Sequence, residues 1–277
     1  MKTKLTLKLL VGAVALTAAG SVFANTSLKD GNATGGGSLF LNVVDTTNST
    51  SFVFDTGLTL SSFTGNSPLT YNLSTDANWN SFLTGAGSDA LQYNVVGVTT
   101  NAAGGQYNVA FTSNAATGTS VGKVGSTSNG TLQSVANLNP FIAAINASTS
   151  STSNSLYVQD TGANANDAAY FGNNYSIGGG FTTTTTTSGI KDIYAAGTAT
   201  KFYELSPNGD INNISAKALV TAFAGTWNLV GSTLSYTVSS VPLPDSLGLL
   251  LGGVALMGLI ARRGKSNDAA GLPGAAA

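Results

Sequence analysis

The stretch "TWNLVGSTLSYTV", Thr226 to Val238, constrains the fold more than any other part of the chain. Leu234, Tyr236 and Val238 alternate with Ser235 and Thr237, the period of a half-buried strand. "TWNLV" precedes it across Gly231 and Ser232 alone, and a two-residue link containing Gly predicts a tight hairpin. The pattern recurs upstream. "SLFLNVV" (38–44) and "SFVFDTGLTL" (51–60) flank the polar link "DTTNST", and "ALQYNVVGVTT" (90–100) and "GQYNVAFTS" (105–113) flank "NAAGG". Many short strands with few helices predict a mainly β body, a single β-sandwich or jelly-roll-like domain with one or two short helices.

Two stretches carry helical spacing. "STDANWNSFLTG" (74–85) offers Ser74 or Asp76 as a cap and places Trp79, Phe82 and Leu83 on one side. "TLQSVANLNPFIAAIN" (131–146) sets Leu132, Val135, Leu138, Ile142 and Ile145 near the helical period, with Pro140 breaking or restarting the helix. "SNAATGTSVGKVGSTSNG" (113–130), "NASTSSTSNS" (146–155) and "GGGFTTTTTTSG" (178–189) read as small, polar, solvated loops.

Composition removes most chemistry. The chain has no Cys and no His, which removes disulfides, thiolate nucleophiles, the usual general base and the commonest metal ligands. Charged residues make up 8%, far below the roughly 25% of an average soluble domain. Between the two termini, five Lys/Arg stand against ten Asp/Glu, a net −5. A mildly acidic body without a basic patch is not expected to bind nucleic acid.

The ends carry targeting patterns. "MKTKLTLKLLVGAVALTAAGSVFA" has three lysines, an apolar run from about Leu9 to Ala19, and small residues up to Ala24. These are the zones of a secretory signal peptide, so residues 1–24 are expected to engage the Sec translocon as a helix and to be cut by signal peptidase after Ala24. At the other end, residues 247–261 are uncharged. As a helix they reach roughly 22 Å, short of the roughly 30 Å hydrocarbon core, so the span is a short one. Arg262, Arg263 and Lys265 follow it and are expected on the cytoplasmic side, with the body outside. Pro242 and Pro244 keep the approach extended, and Asp245 or Ser246 can cap the helix.

"VPLPDSLGLLLGGVALMGLIARR" (241–263) resembles the C-terminal sorting signal of PEP-CTERM proteins, in which a Pro-x-Pro motif, a short glycine-bearing apolar helix and an arginine cluster follow in that order. Pro242, Leu243 and Pro244 match the recognition motif, with Leu243 in place of the usual Glu. Arg262 and Arg263 match the stop. The resemblance implies processing by an exosortase in a Gram-negative bacterium that makes exopolysaccharide. The tail 266–277 extends past the point where such signals end. "GSLFLNVVD", "KFYEL" and "GTWNLVGSTLSYTV" also resemble, more loosely, the bodies of other proteins with this signal, which implies one domain over 25–240, ahead of a sorting segment at 241–265.

Chemical candidates in the body are few. Asp45 and Asp55 flank a hairpin, and a hydrolase would need carboxylates such as Asp45, Asp55, Asp89 and Glu204 to converge. No catalytic constellation is expected. "QDTGANANDAAY" (159–170) and "SPNGDINN" (206–213) carry the side-chain oxygens a calcium ion would use, without the order of an EF-hand loop; otherwise no cofactor is expected. Trp79, Trp227, Tyr93, Tyr107, Tyr203 and Tyr236 would form a sugar-stacking platform if aligned on an open face, although alternation favours burial for most of them. The sequence therefore reads as an exported cell-surface or extracellular-matrix protein. It would be held for a time in the inner membrane, cleaved near Pro244, passed to the envelope or beyond, and associated with exopolysaccharide. The alternative is a carbohydrate-binding surface module, with a secreted hydrolase a distant third.

Overall fold

The structure is a computed structural model, and it describes residues 27–100, 107–119, 123–133, 138–149, 153–160, 167–171, 181–182 and 190–238. The chain divides into two compact units, 1–238 and 239–277, and every described residue belongs to the first. Ala24, the Pro242–Leu243–Pro244 motif, the apolar run 247–261, Arg262 and Arg263 lie outside the described residues. Among the described residues no helix is long and apolar enough to cross a membrane.

The strands are β1 (Ser38–Asp45), β2 (Thr50–Thr59), β3 (Leu69–Asn72), β4 (Gln92–Thr99), β5 (Asn108–Ser113), β6 (Ser155–Gln159), β7 (Phe181–Thr182), β8 (Ile190–Lys191), β9 (Tyr194–Ala195), β10 (Thr200–Ser206), β11 (Leu219–Val230) and β12 (Thr233–Val238). Ten of them form one antiparallel sheet in the order β3-β12-β11-β10-β5-β4-β1-β2-β6, with β9 beside β4; β7 and β8 form a separate two-residue parallel pair. All three expected hairpins form: β1 with β2, β4 with β5, and β11 with β12. The last turns at Gly231, whose φ of 55° is a conformation glycine adopts without strain.

The mainly β body with short helices matches the sequence reading, but its layers arise differently from those of two separate sheets. One sheet curls until its ends face each other. Phe54 of β2 meets Tyr71 of β3 with ring centroids 5.6 Å apart, although the two strands stand near opposite ends of the sheet order. A helix, α1 (Ala77–Ala86), closes the remaining gap. Trp79 packs on Phe52 of β2, Phe82 packs on Tyr157 of β6, and Trp79 Nε1 donates to Ser232 Oγ at the β11–β12 turn, 2.9 Å away. Asp76, one of the two expected caps, accepts from Trp79 N at 2.9 Å and starts the helix.

Both faces of the central strands are covered, which is why every residue of "SLFLNVVD" is buried. Leu39, Leu41 and Val43 point into the curl, with Phe52, Tyr93, Phe202, Trp227 and Tyr236. Phe40 and Val44 point outward, under α2 (Asn129–Gln133) and α3 (Leu138–Ser148). The expected helix over 131–146 is two helices, with Pro140 in the first turn of α3, where a missing N–H costs nothing. Leu132, Leu138, Ile142 and Ile145 are buried as their spacing predicts; Val135 lies outside the described residues. The polar stretch 113–130 is a correction to the solvated-loop reading. It carries a buried turn at Val124–Ser126, and Val124 is fully covered. Val124 packs in the outer core, and backbone hydrogen bonds from Ala218 N to the Thr127 carbonyl and from Asn129 N to the Ala216 carbonyl hold the end of the segment.

Candidate functional site

The inside of the curl opens at one end into a cleft of about 540 Å³. Its position follows from strand register. Thr99 at the end of β4 pairs with Asn108 at the start of β5, and Glu204 of β10 pairs with Ala110 of β5. Alternation turns Asn108 and Glu204 to the inner side, like Ala110 and Phe202. Next to them the β10–β11 ladder is irregular. Lys201 pairs with Thr226 and Tyr203 with Ala222, so Phe223, Ala224 and Gly225 stand opposite Phe202 alone. A bulge of this kind bends the strand and re-aims its side chains. Here it accompanies Phe223 at the cleft wall, half-buried, with its ring 5.1 Å from Phe63 and 5.3 Å from Phe202. The loop before β1 forms the opposite wall. Gly35 and Gly36 hold φ values of 88° and 78°, and a Cβ on Gly36 would collide with Thr99 Oγ1.

The wall has two chemical halves. Leu60, Phe63 and Phe223 are apolar, while Glu204, Asn108, Ser61, Thr99 and Asn32 are polar. Asn108 Nδ2 donates to Glu204 Oε1 at 2.7 Å. Burial pushes the Glu204 carboxyl above the usual carboxylate range, and the Asn108 hydrogen bond opposes that shift only in part. Of Asp45, Asp55, Asp89 and Glu204, Glu204 alone lines this cleft.

The other acids are separated by the fold. Asp45 pairs with Thr50 and Asp55 with Phe40, so the two aspartates sit five positions apart along the hairpin, roughly 17 Å. This register keeps the two aspartates from converging as a hydrolase would need. Asp45 instead works in the β1–β2 turn, accepting from Thr47 N and from Asn48 Nδ2, which also donates to Asp89 Oδ2. Asp55 is buried near Asn146 and Ser155 beside α3, and burial lifts its pKa to about 6 against hydrogen bonds from Gly57 N and Ser38 Oγ.

As alternation favours, the six rings do not line up as a stacking platform. Trp79, Trp227, Tyr93, Tyr203 and Tyr236 are buried and Tyr107 is half-buried, so these six rings build cores and not an open row. In the 206–213 stretch, Asp210 Oδ1 accepts from Asn212 N and Asn212 Nδ2, and Asn129 Nδ2 donates to the Asn208 and Asp210 carbonyls. Asp210 Oδ1 there serves the turn itself, and two of the turn's carbonyls are taken by Asn129 of α2. Among the described residues no group of three or more acids is arranged to hold a metal ion; residues 161–166 of the other stretch lie outside them.

The sequence reading missed Phe63, Asn108 and Phe223 as members of a site. Phe223 sits in "TAFAGT", where small residues flank a lone ring, a weak signal for an aromatic left partly uncovered. Fold and cleft together define a β protein built on one curled sheet with a polar-aromatic mouth. No family model, no curated protein and no solved structure matches the chain.

Proposed function

We propose that this chain is an exported, non-enzymatic cell-surface or extracellular-matrix protein, processed by an exosortase at its C-terminal signal and associated with exopolysaccharide. One observation supports the processing step. The compact first unit ends at Val238, the last residue of β12. Pro242 follows four residues later in sequence, so scission at the Pro-Leu-Pro motif leaves every strand of the sheet intact. On this reading the curled sheet serves as a sandwich-like or jelly-roll-like carrier. Its core is held without disulfides, which suits a compartment where redox state varies.

The route runs through the Sec translocon, cleavage after Ala24, a pause in the inner membrane on residues 247–261 with Arg262 and Arg263 as the stop, and release near Pro244 to the envelope. Mass spectrometry of the surface-located protein tests it. The expected C-terminal peptide ends close to Pro244, and the Pro242→Ala, Pro244→Ala double variant stays in the inner membrane. An extracellular form intact through Ala277, or normal release of that variant, overturns the reading.

A further inference from the structure

The cleft carries one carboxylate and no lysine or arginine among its lining residues. A phosphate, sulfate or uronate placed there would face Glu204 with no cation to offset the repulsion. A purely apolar ligand would strip water from Glu204, Asn108, Ser61 and Thr99 without replacing their hydrogen bonds. A ligand that matches both halves of the wall has hydroxyls that donate and accept, set on a ring with an apolar C–H face. At about 540 Å³ the cleft falls inside the roughly 300–1,000 Å³ range of small-molecule sites.

We infer that the mouth of the curled sheet binds a neutral sugar unit in pyranose form. Glu204 accepts from a sugar hydroxyl, Asn108 orients that carboxylate through the 2.7 Å hydrogen bond, and the Phe223 ring stacks on the C–H face of the sugar. Phe63 holds Phe223 in place from behind, at 5.1 Å between centroids. Hydrogen bonds to a charged acceptor are about twice as strong as neutral ones, so one partly buried carboxylate beside an amide is an effective hydroxyl anchor. This site is distinct from the six rings of the rejected platform, and the inference goes beyond the sorting reading without depending on it.

The test is saturation-transfer NMR on the full-length protein, held in a zwitterionic detergent without a sugar headgroup. The probes are the methyl pyranosides of glucose, galactose and mannose, with glucuronate as the charged counterpart. At least one neutral pyranoside is expected to receive transfer on its ring protons, with a Kd on the order of millimolar, as suits a ligand of about a dozen heavy atoms. Glucuronate is expected to bind at least about tenfold more weakly. Glu204→Gln and Phe223→Leu are each expected to weaken binding roughly fivefold to tenfold. Glu204→Gln keeps the melting temperature of the parent, and Val230→Thr, at an exposed position outside the cleft, leaves binding unchanged. Absence of transfer to all three neutral pyranosides at tens of millimolar overturns the inference. So does binding that Glu204→Gln leaves intact, or glucuronate bound as tightly as the neutral sugars. None of these outcomes bears on where the C terminus is cut.

Discussion

Phe54 and Tyr71 stand edge to face, 5.6 Å between centroids at 68°, across the seam where the sheet meets itself. Six strands, β12, β11, β10, β5, β4 and β1, lie between their own strands in the sheet order. The contact therefore exists only when the whole curl is in place. Edge-to-face aromatic pairs contribute about 0.5–1.5 kcal/mol beyond their area. A double-mutant cycle of Phe54→Leu and Tyr71→Leu in urea is expected to give a coupling of about 1 kcal/mol. Strict additivity of the two single variants would show that the seam is not closed in solution.

The Asp55 carboxyl makes stability depend on pH in an unusual direction. In the folded protein it keeps its proton up to about pH 6, against an ordinary aspartate value of 3.8 in the unfolded chain. Between those limits the folded state binds more protons, so this group's contribution falls as pH rises from about 4 to 6, by up to about 3 kcal/mol. Asp55→Asn removes the titrating group and keeps its shape. The variant is expected to gain stability on the parent progressively through that window and to hold the gain at pH 7. A parent–variant difference that stays flat from pH 4 to 7 would count against a buried, proton-holding Asp55.

Tyr236 and Gly225 depend on each other. The Tyr236 hydroxyl accepts from Gly225 N at 2.9 Å and donates to the Gly65 carbonyl at 3.2 Å. A Cβ on Gly225 would collide with Tyr236 Cζ. Gly225→Ala is expected to destabilise the fold by at least about 2 kcal/mol through overpacking. Tyr236→Phe is expected to cost about 1–3 kcal/mol, since it leaves the Gly225 N–H buried without its acceptor. Thermal unfolding of both variants checks the pair, and parent-like melting of Gly225→Ala would contradict the close approach.

Asn48 sits between two carboxylates, donating from Nδ2 to Asp45 Oδ2 and to Asp89 Oδ2, each at 2.8 Å. Asn48→Asp removes the donor and adds a third negative charge. A loss of about 1–3 kcal/mol is expected at low ionic strength, shrinking as added salt screens the repulsion. A chemical-denaturation series over salt concentration reads this directly, and a loss independent of salt would argue against like-charge repulsion as the cause.

Loss of the Asp76 cap is a local test of α1. Asp76→Ala is expected to cost about 1 kcal/mol, and because Trp79 and Phe82 close the gap in the curl, tryptophan fluorescence should change along with the melting temperature. A drop in stability with unchanged fluorescence would place α1 outside the cooperative unit.

Local pattern was enough to define the pieces. The period-two runs and short links defined the three hairpins, because side-chain alternation and turn chemistry are properties of neighbouring residues. The 3.6-residue spacing around Trp79 and Ile142 defined α1 and α3 in the same way, with Pro140 in the first turn of α3. The terminal patterns, from Met1 to Ala24 and from Val241 to Arg263, carry the expectation about export and lie outside the described residues.

Tertiary structure decided what the pieces make together. Nothing within "SFVFDTGLTL" states that Phe54 will meet Tyr71, because that contact depends on the sum of twists over the strands between them. The pairing of β10 with β5 and β11 left Glu204, Asn108 and Phe223 at one mouth, although they lie far apart in the chain, while the β1–β2 register held Asp45 and Asp55 apart. The tryptophans and most of the tyrosines are buried, as alternation favoured, because a sheet covered on both faces gives its largest rings to the two cores. Short-range patterns determine strands and turns; the curl of one sheet, a collective property of ten strands, determines which of their side chains meet.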